Sequence, residues 1–102
     1  MMLIPPESDG GDRTFDLAEL VGRKVVLDTE GPLIYLGTLE RVTREGFWLE
    51  RADIRDRNEG HDTKEEYICA AQKLGIRENR QRIFVFANVV VSISALDDVI
   101  GT

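Results

Sequence analysis

Apolar residues recur along this chain at two different spacings. From Lys24 to Asp28 and from Leu33 to Val42 they alternate or run together over short stretches bounded by turn residues, which predicts strands. Thr29-Glu30-Gly31-Pro32 supplies the turn between them. Thr43 to Gly46 then turns the chain into a third segment, Phe47 to Ala52, with Phe47 and Leu49 on one face and Trp48 and Glu50 on the other. Gly37 interrupts the long second segment, and a glycine inside a strand marks a bulge or bend of the kind a small barrel needs to close. Near the end, Arg82 to Phe86 and Val89 to Ser94 form two more β segments, apolar on both faces, so both faces are expected to be covered, either by the core and the helix or by another subunit.

Between the third and fourth strands the period changes. Asp53 to Asp62 reads as a polar, irregular stretch, and Thr63-Lys64-Glu65-Glu66 then fits a capping box, in which the threonine and the second glutamate satisfy each other's free backbone donors. A helix from Thr63 to Leu74 would gather Tyr67, Ala70, Ala71 and Leu74 into one stripe and turn Glu65, Cys69, Gln72 and Lys73 away, with Gly75 as its stop. A shorter leading helix, capped by Asp12 or Thr14, carries Leu17, Leu20 and Val21 and ends at Gly22. Residues 1–12, with the run PPESDGGD, have little to bury and are expected to form a mobile tail; residues 13–102 make one domain.

A chain of 102 residues has room for one core, and so short a chain buries only about two-thirds of its unfolded surface, so self-association would add burial. The formal charge of −6 gives no long-range attraction for phosphate backbones. The lone Cys69 excludes an internal disulfide. No apolar run approaches the ~20 residues of a membrane span, and residues 1–6 lack the basic and apolar regions of a signal peptide, so a reducing cytoplasmic location is expected, with no membrane partner.

The order of helix, three strands, variable insert and two strands resembles the Sm and Sm-like family. The residues that carry the likeness are Leu20-Val21-Gly22-Arg23-Lys24-Val25-Val26-Leu27, Tyr35-Leu36-Gly37-Thr38-Leu39 with Val42, and Val85, Val90 and Ile93. The resemblance implies a mainly β fold, a small five-stranded SH3-type barrel with a short leading helix and one helix inserted between strands three and four. It also implies a ring of copies and an association with single-stranded RNA. Thr43, Gly46 and Phe47 stand where the family carries an aspartate and a Met-Asn pair, and Val85, Phe86 and Ala87 stand where it carries Ile-Arg-Gly. The base-reading side chains of its uridine pocket are therefore not retained. The opening Leu20 to Val25, followed by Asp28 and Gly31, also resembles a PRC-barrel domain.

Candidate chemistry is sparse. Lys73, Arg77, Arg80 and Arg82 form a basic stretch opposed within it only by Glu78. Arg77, Arg80 and Arg82 with Asn79, and Trp48 for stacking, are the candidate nucleic-acid contacts. The plainer reading pairs these charges at the surface with Asp53, Asp56, Glu59 or Glu65. His61, Asp62, Glu65 and Cys69 could be imagined around a metal, but His61 precedes the capped helix and no CxxC or HxxxH pair is present, so no metal is expected. A calcium loop from Asp56 fails, with His61 at its sixth place and Tyr67 at its twelfth. Ser8, Ser92 and Ser94 sit in no nucleophile elbow, and no phosphate loop or dinucleotide motif occurs. The expectation is a non-catalytic, cofactor-free Sm-like module whose partners are its own copies and, as a candidate, single-stranded RNA. A self-assembling protein–protein adaptor is the alternative.

Overall fold

The computed structural model describes residues 17–56, 58 and 63–100. The expected tail and the start of the leading helix lie outside them. Five antiparallel strands form one sheet: β1 (Lys24–Thr29), β2 (Leu33–Val42), β3 (Gly46–Asp56), β4 (Arg80–Phe86) and β5 (Val90–Ala95), in the order β4-β3-β2-β1-β5. Helix α1 (Lys64–Leu74) joins β3 to β4, and 3-10 turns follow at Ala87–Val89 and Leu96–Asp98. Ahead of β1, Leu17 and Ala18 are helical, and Gly22, at φ +89°, turns the chain. Its N–H donates to the Leu39 carbonyl at 2.7 Å, and the Leu39 N–H returns a bond to Arg23 at 2.9 Å, stitching the lead to β2.

Bulges bend the sheet. Between Leu36 and Thr38 the β2–β3 register slips, and Arg51, opposite, takes the left-handed conformation at φ 48°. Gly37 is needed there: a Cβ on it would stand 3.0 Å from the Cβ of Ala52. A second slip between Leu39 and Arg41 keeps Leu39 opposite Leu49 and Val42 opposite Phe47, leaving Glu40 as the extra residue. β3 does not stop at Ala52 as the polar composition suggested. The length of β2 continues to supply partners, pairing Leu36 with Asp53 and Leu33 with Asp56.

The sheet has a core on each face. The inner one joins Val25, Leu27, Leu39, Phe47, Leu49, Ala52 and Val85, with Leu17 and Leu20 of the lead packed against it. The outer one joins Val26, Ile34 and Leu36 to Tyr67, Ile68 and Ala71 of α1 and to Leu96. Three consecutive residues of β1 are buried because alternate side chains enter alternate cores. Within one chain the cover of β4 and β5 is partial: Phe86 is 60% and Val91 56% exposed, since α1 lies over β1 and β2, so of the two covers expected the helix does not supply it there.

The capping box forms as the sequence predicts. The Thr63 hydroxyl accepts from the Glu66 N–H at 3.1 Å, and the Glu66 carboxylate accepts from the Thr63 N–H at 2.9 Å. Those bonds hold the Glu66 carboxyl below its ordinary pKa. The buried stripe is rolled from the expected one: Tyr67, Ile68 and Ala71 face the sheet, while Ala70 is exposed and Leu74 is 87% exposed. Polar contacts set the roll. The Gln72 amide donates to the carbonyls of Leu96 at 2.9 Å and Val99 at 2.7 Å, so this side of α1 faces the carboxyl-terminal turn. At the other end the Lys64 ammonium donates to Asp28 Oδ1 at 2.6 Å and to the carbonyls of Thr29 and Gly31 at 3.1 and 2.9 Å. Charged bonds of this kind contribute roughly 1.5–3 kcal/mol when partly buried, so α1 is pinned at both ends.

A Cβ on Gly46 would lie 2.2 Å from the Val85 carbonyl oxygen and 2.9 Å from the Phe84 ring, whereas one on Gly31 meets nothing within 4 Å. Gly46→Ala should therefore lower stability by roughly 1–3 kcal/mol in urea unfolding, and Gly31→Ala should stay within about 0.5 kcal/mol of the parent.

Candidate functional site

The five candidate contacts fall in two places. Trp48 and Arg82 meet on the outer face of β3 and β4, where the register sets Trp48 opposite Phe84 and Glu50 opposite Arg82. The Arg82 guanidinium lies 4.0 Å over the Trp48 ring and grips Glu40 with two bonds, Nε to Oε1 at 2.8 Å and Nη2 to Oε2 at 3.0 Å. That pairing lowers the Glu40 pKa and raises that of Arg82. The anion of the pair is thus Glu40, which the bulge in β2 brings alongside, and not one of the four acids expected from the sequence. Phe84 continues the cluster, edge-on to Trp48 at 5.0 Å and to Phe86 at 5.1 Å between ring centroids.

Asn79 does a different job. Its side-chain oxygen accepts from the Ile54 N–H and its amide nitrogen donates to the Ile54 carbonyl, both at 3.1 Å. Its own N–H donates to Ala52. Beyond Ala52, where β4 no longer accompanies β3, one side chain supplies the two bonds that a neighbouring strand would make. Arg80 donates to the Asn79 carbonyl at 2.9 Å. Arg77 joins Asn79 in lining an open cleft of about 290 Å³, with Asp53, Ile54, Arg55 and Glu78. The basic stretch is consequently not one free phosphate-binding face: Arg82 is paired, Asn79 closes a strand edge, and Arg80 is bound to the main chain.

The two turns that hold the uridine pocket in the Sm family lie side by side, with the Ala87 N–H donating to Glu45 at 2.9 Å. Thr43 uses its hydroxyl to accept from the Glu45 and Gly46 N–H groups within its own turn. Phe47 and Val85 are buried. Of the six residues at the pocket positions, none turns a charged or amide side chain to the surface.

Sequence patterning missed one buried polar pair. Asp53, 6% exposed, accepts a short hydrogen bond from the Tyr67 hydroxyl, and Arg55 lies 4.9 Å over the Tyr67 ring. Burial, and next the bond to Asp53, push the Tyr67 hydroxyl well above the ordinary tyrosine range. A polar residue at the end of an apolar strand opposite a helical tyrosine is the available signal, but it becomes a pair only once α1 folds back. Among the described residues no three His, Cys, Asp or Glu side chains are grouped as for a metal ion; His61 and Asp62 lie outside them. No helix among them is long and apolar enough to cross a membrane.

No protein-family model and no curated protein matches the chain by sequence. Solved structures do match. The chain is similar to the Pyrococcus abyssii Sm protein solved in complex with a uridine heptamer, with a TM-score of 0.55 and 13% identity over 79% of this chain and 94% of that one. It is similar to the SmAP (LSm) protein of Methanococcus vannielii, with a TM-score of 0.55 and 15% identity over 85% of this chain and 98% of that one. It is also similar to a chain of the NatC complex bound to CoA, with a TM-score of 0.52 and 16% identity over 78% of this chain and 82% of that one. The chain has an Sm-like fold.

Tyr67→Phe leaves Asp53 buried without its donor and should cost roughly 1–3 kcal/mol at neutral pH. Because the folded hydroxyl titrates above the unfolded value of 10.0, its contribution is complete below about pH 10 and is lost as pH rises further. Urea unfolding from pH 8 to 11 should show the gap between parent and variant narrowing above pH 10.

Proposed function

We propose that this chain is a non-catalytic Sm-like module whose first partner is its own copy, assembled head to tail by pairing the free edge of β4 with the free edge of β5, and that its grip on single-stranded RNA is weak. One observation carries the reading. β4 and β5 stand at the two ends of the strand order, so among the described residues each has one lateral edge without a strand partner. Unpaired strand edges invite pairing, and the exposed Val89 and Val91 in and after the turn between them would be covered by it. An edge that meets a different edge is a heterologous contact, which closes into a ring when the rotation allows.

The likeness to a protein solved with a uridine heptamer supports an RNA role at the level of fold. The turns here lack the side chains that would read a base edge, and the net charge is −6, so affinity would rest on a few phosphate contacts. The adaptor reading is favoured by the commitment of Arg82 to Glu40 and of Asn79 to Ile54, and the fold also occurs within the NatC complex. The buried Asp53–Tyr67 pair serves the fold, since the Tyr67 hydroxyl satisfies a buried carboxylate.

Size-exclusion chromatography with light scattering should give a mass several times 11.5 kDa, and Val89→Asp with Val91→Asp, both at exposed positions, should reduce it. A parent that runs as a clean monomer would sink the assembly reading. Filter binding of U-rich and A-rich RNA at two salt concentrations should show weak binding that salt abolishes, with little base preference. Absence of salt-sensitive binding would leave the adaptor, and strong preference for U-rich RNA would contradict the loss of the pocket.

A further inference from the structure

The outer face of the sheet is only half clad. α1 covers it over β1 and β2 through Tyr67, Ile68 and Ala71, whereas over β3 and β4 the same face carries Trp48, Phe84 and Phe86, and among the described residues no element is laid across them. Phe86 is 60% exposed. The cluster is seated on Gly46, which stands opposite Phe86 and leaves no space for a Cβ beneath the Phe84 ring. Around it lie four charges that the register brings together: Arg82 bound to Glu40, Glu50 opposite Arg82, and Arg41 opposite Trp48.

We infer that this face, with Phe84 between Trp48 and the exposed Phe86, docks a second copy of this chain about a two-fold axis. This contact is separate from the edge pairing proposed above. Three properties of the patch select its occupant. First, it is charge-balanced, two arginines and two glutamates, on a chain whose net charge is −6. Copies of so acidic a chain repel over most of their surface, but here the patch carries no net charge, with Arg82 already paired to Glu40 and Arg41 and Glu50 of opposite sign beside them. A two-fold contact requires this property, because the patch must complement itself. Second, the layout is that of a protein interface, with aromatic groups inside and a polar rim outside. Third, it is a poor nucleic-acid platform: Arg82 occupies one face of the Trp48 ring and is itself paired with Glu40, so the cation beside the aromatic cluster is not free for a phosphate. Combined with edge pairing, the contact would set two rings face to face.

Trp48 is the single tryptophan of the chain, so its fluorescence reports on the patch directly. With the full chain, dilution through the dissociation range should shift Trp48 emission to the red and increase its quenching by acrylamide. Native mass spectrometry should show Phe86→Asp at half the parent mass, with an unchanged circular dichroism spectrum. Val89→Asp with Val91→Asp, which act on the edges, should leave a dimer whose Trp48 remains protected. A parent that is a single ring, with Trp48 emission independent of dilution and with Phe86→Asp at the parent mass, would overturn this contact and leave edge pairing standing. A parent dimer that Phe86→Asp makes monomeric would support the contact and sink the ring. If Phe86→Asp keeps the parent mass but weakens binding of a uridine oligomer, the patch is an RNA surface and the inference fails.

Discussion

Everything in this fold rests on burying the outer face of β1 and β2. Val25, Val26 and Leu27 alternate between two cores, and Val26, with Ile34 and Leu36, would face water if α1 did not lie across them. That helix is the chain's own insertion, and it is secured by specific polar bonds as well as by apolar contact. Lys64 takes three oxygens of the β1–β2 turn, and Gln72 takes two carbonyls of the carboxyl-terminal turn. Tyr67 reaches the buried Asp53. The bonds leave α1 one orientation, since each removes a donor or acceptor that would be costly to bury alone.

The same constraint decides where the molecule is incomplete. An eleven-residue helix covers two strands, not five, so among the described residues the outer face over β3 and β4 and the lateral edges of β4 and β5 have no cover. Exposed apolar side chains gather in that region: Phe86, Val89 and Val91. Bulges contribute as well. The slip in β2 brings Glu40 beside Arg82 and balances the charge of the aromatic patch. A feature required to bend the sheet thereby gives Arg82 a carboxylate partner.

Much of the architecture was legible in the residues. The limits of β2, the capping box at Thr63 and Glu66, the stop at Gly75 and the bend at Gly37 follow from local chemistry that operates wherever such sequences occur. The candidate site was far less legible. Asn79 and Arg82 were singled out as exposed polar groups beside an aromatic, but their partners, Ile54 and Glu40, lie 25 and 42 residues away in the chain. Composition records that a cation is present and says nothing of whether a carboxylate has already claimed it.

By itself, then, the sequence determined the local periods, the breaks between them and the likeness to an Sm-like barrel, because these depend on neighbours a few positions apart. Only the tertiary structure decided that β3 runs on to Asp56, which side of α1 is buried, and that the last two strands keep exposed edges. Each of those outcomes turns on a long-range partner. The length of β2 carries β3 onward, Gln72 and the Leu96 carbonyl fix the roll of the helix, and the reach of α1 sets how much of the sheet stays bare. Long-range partners become visible only once the chain has closed on itself.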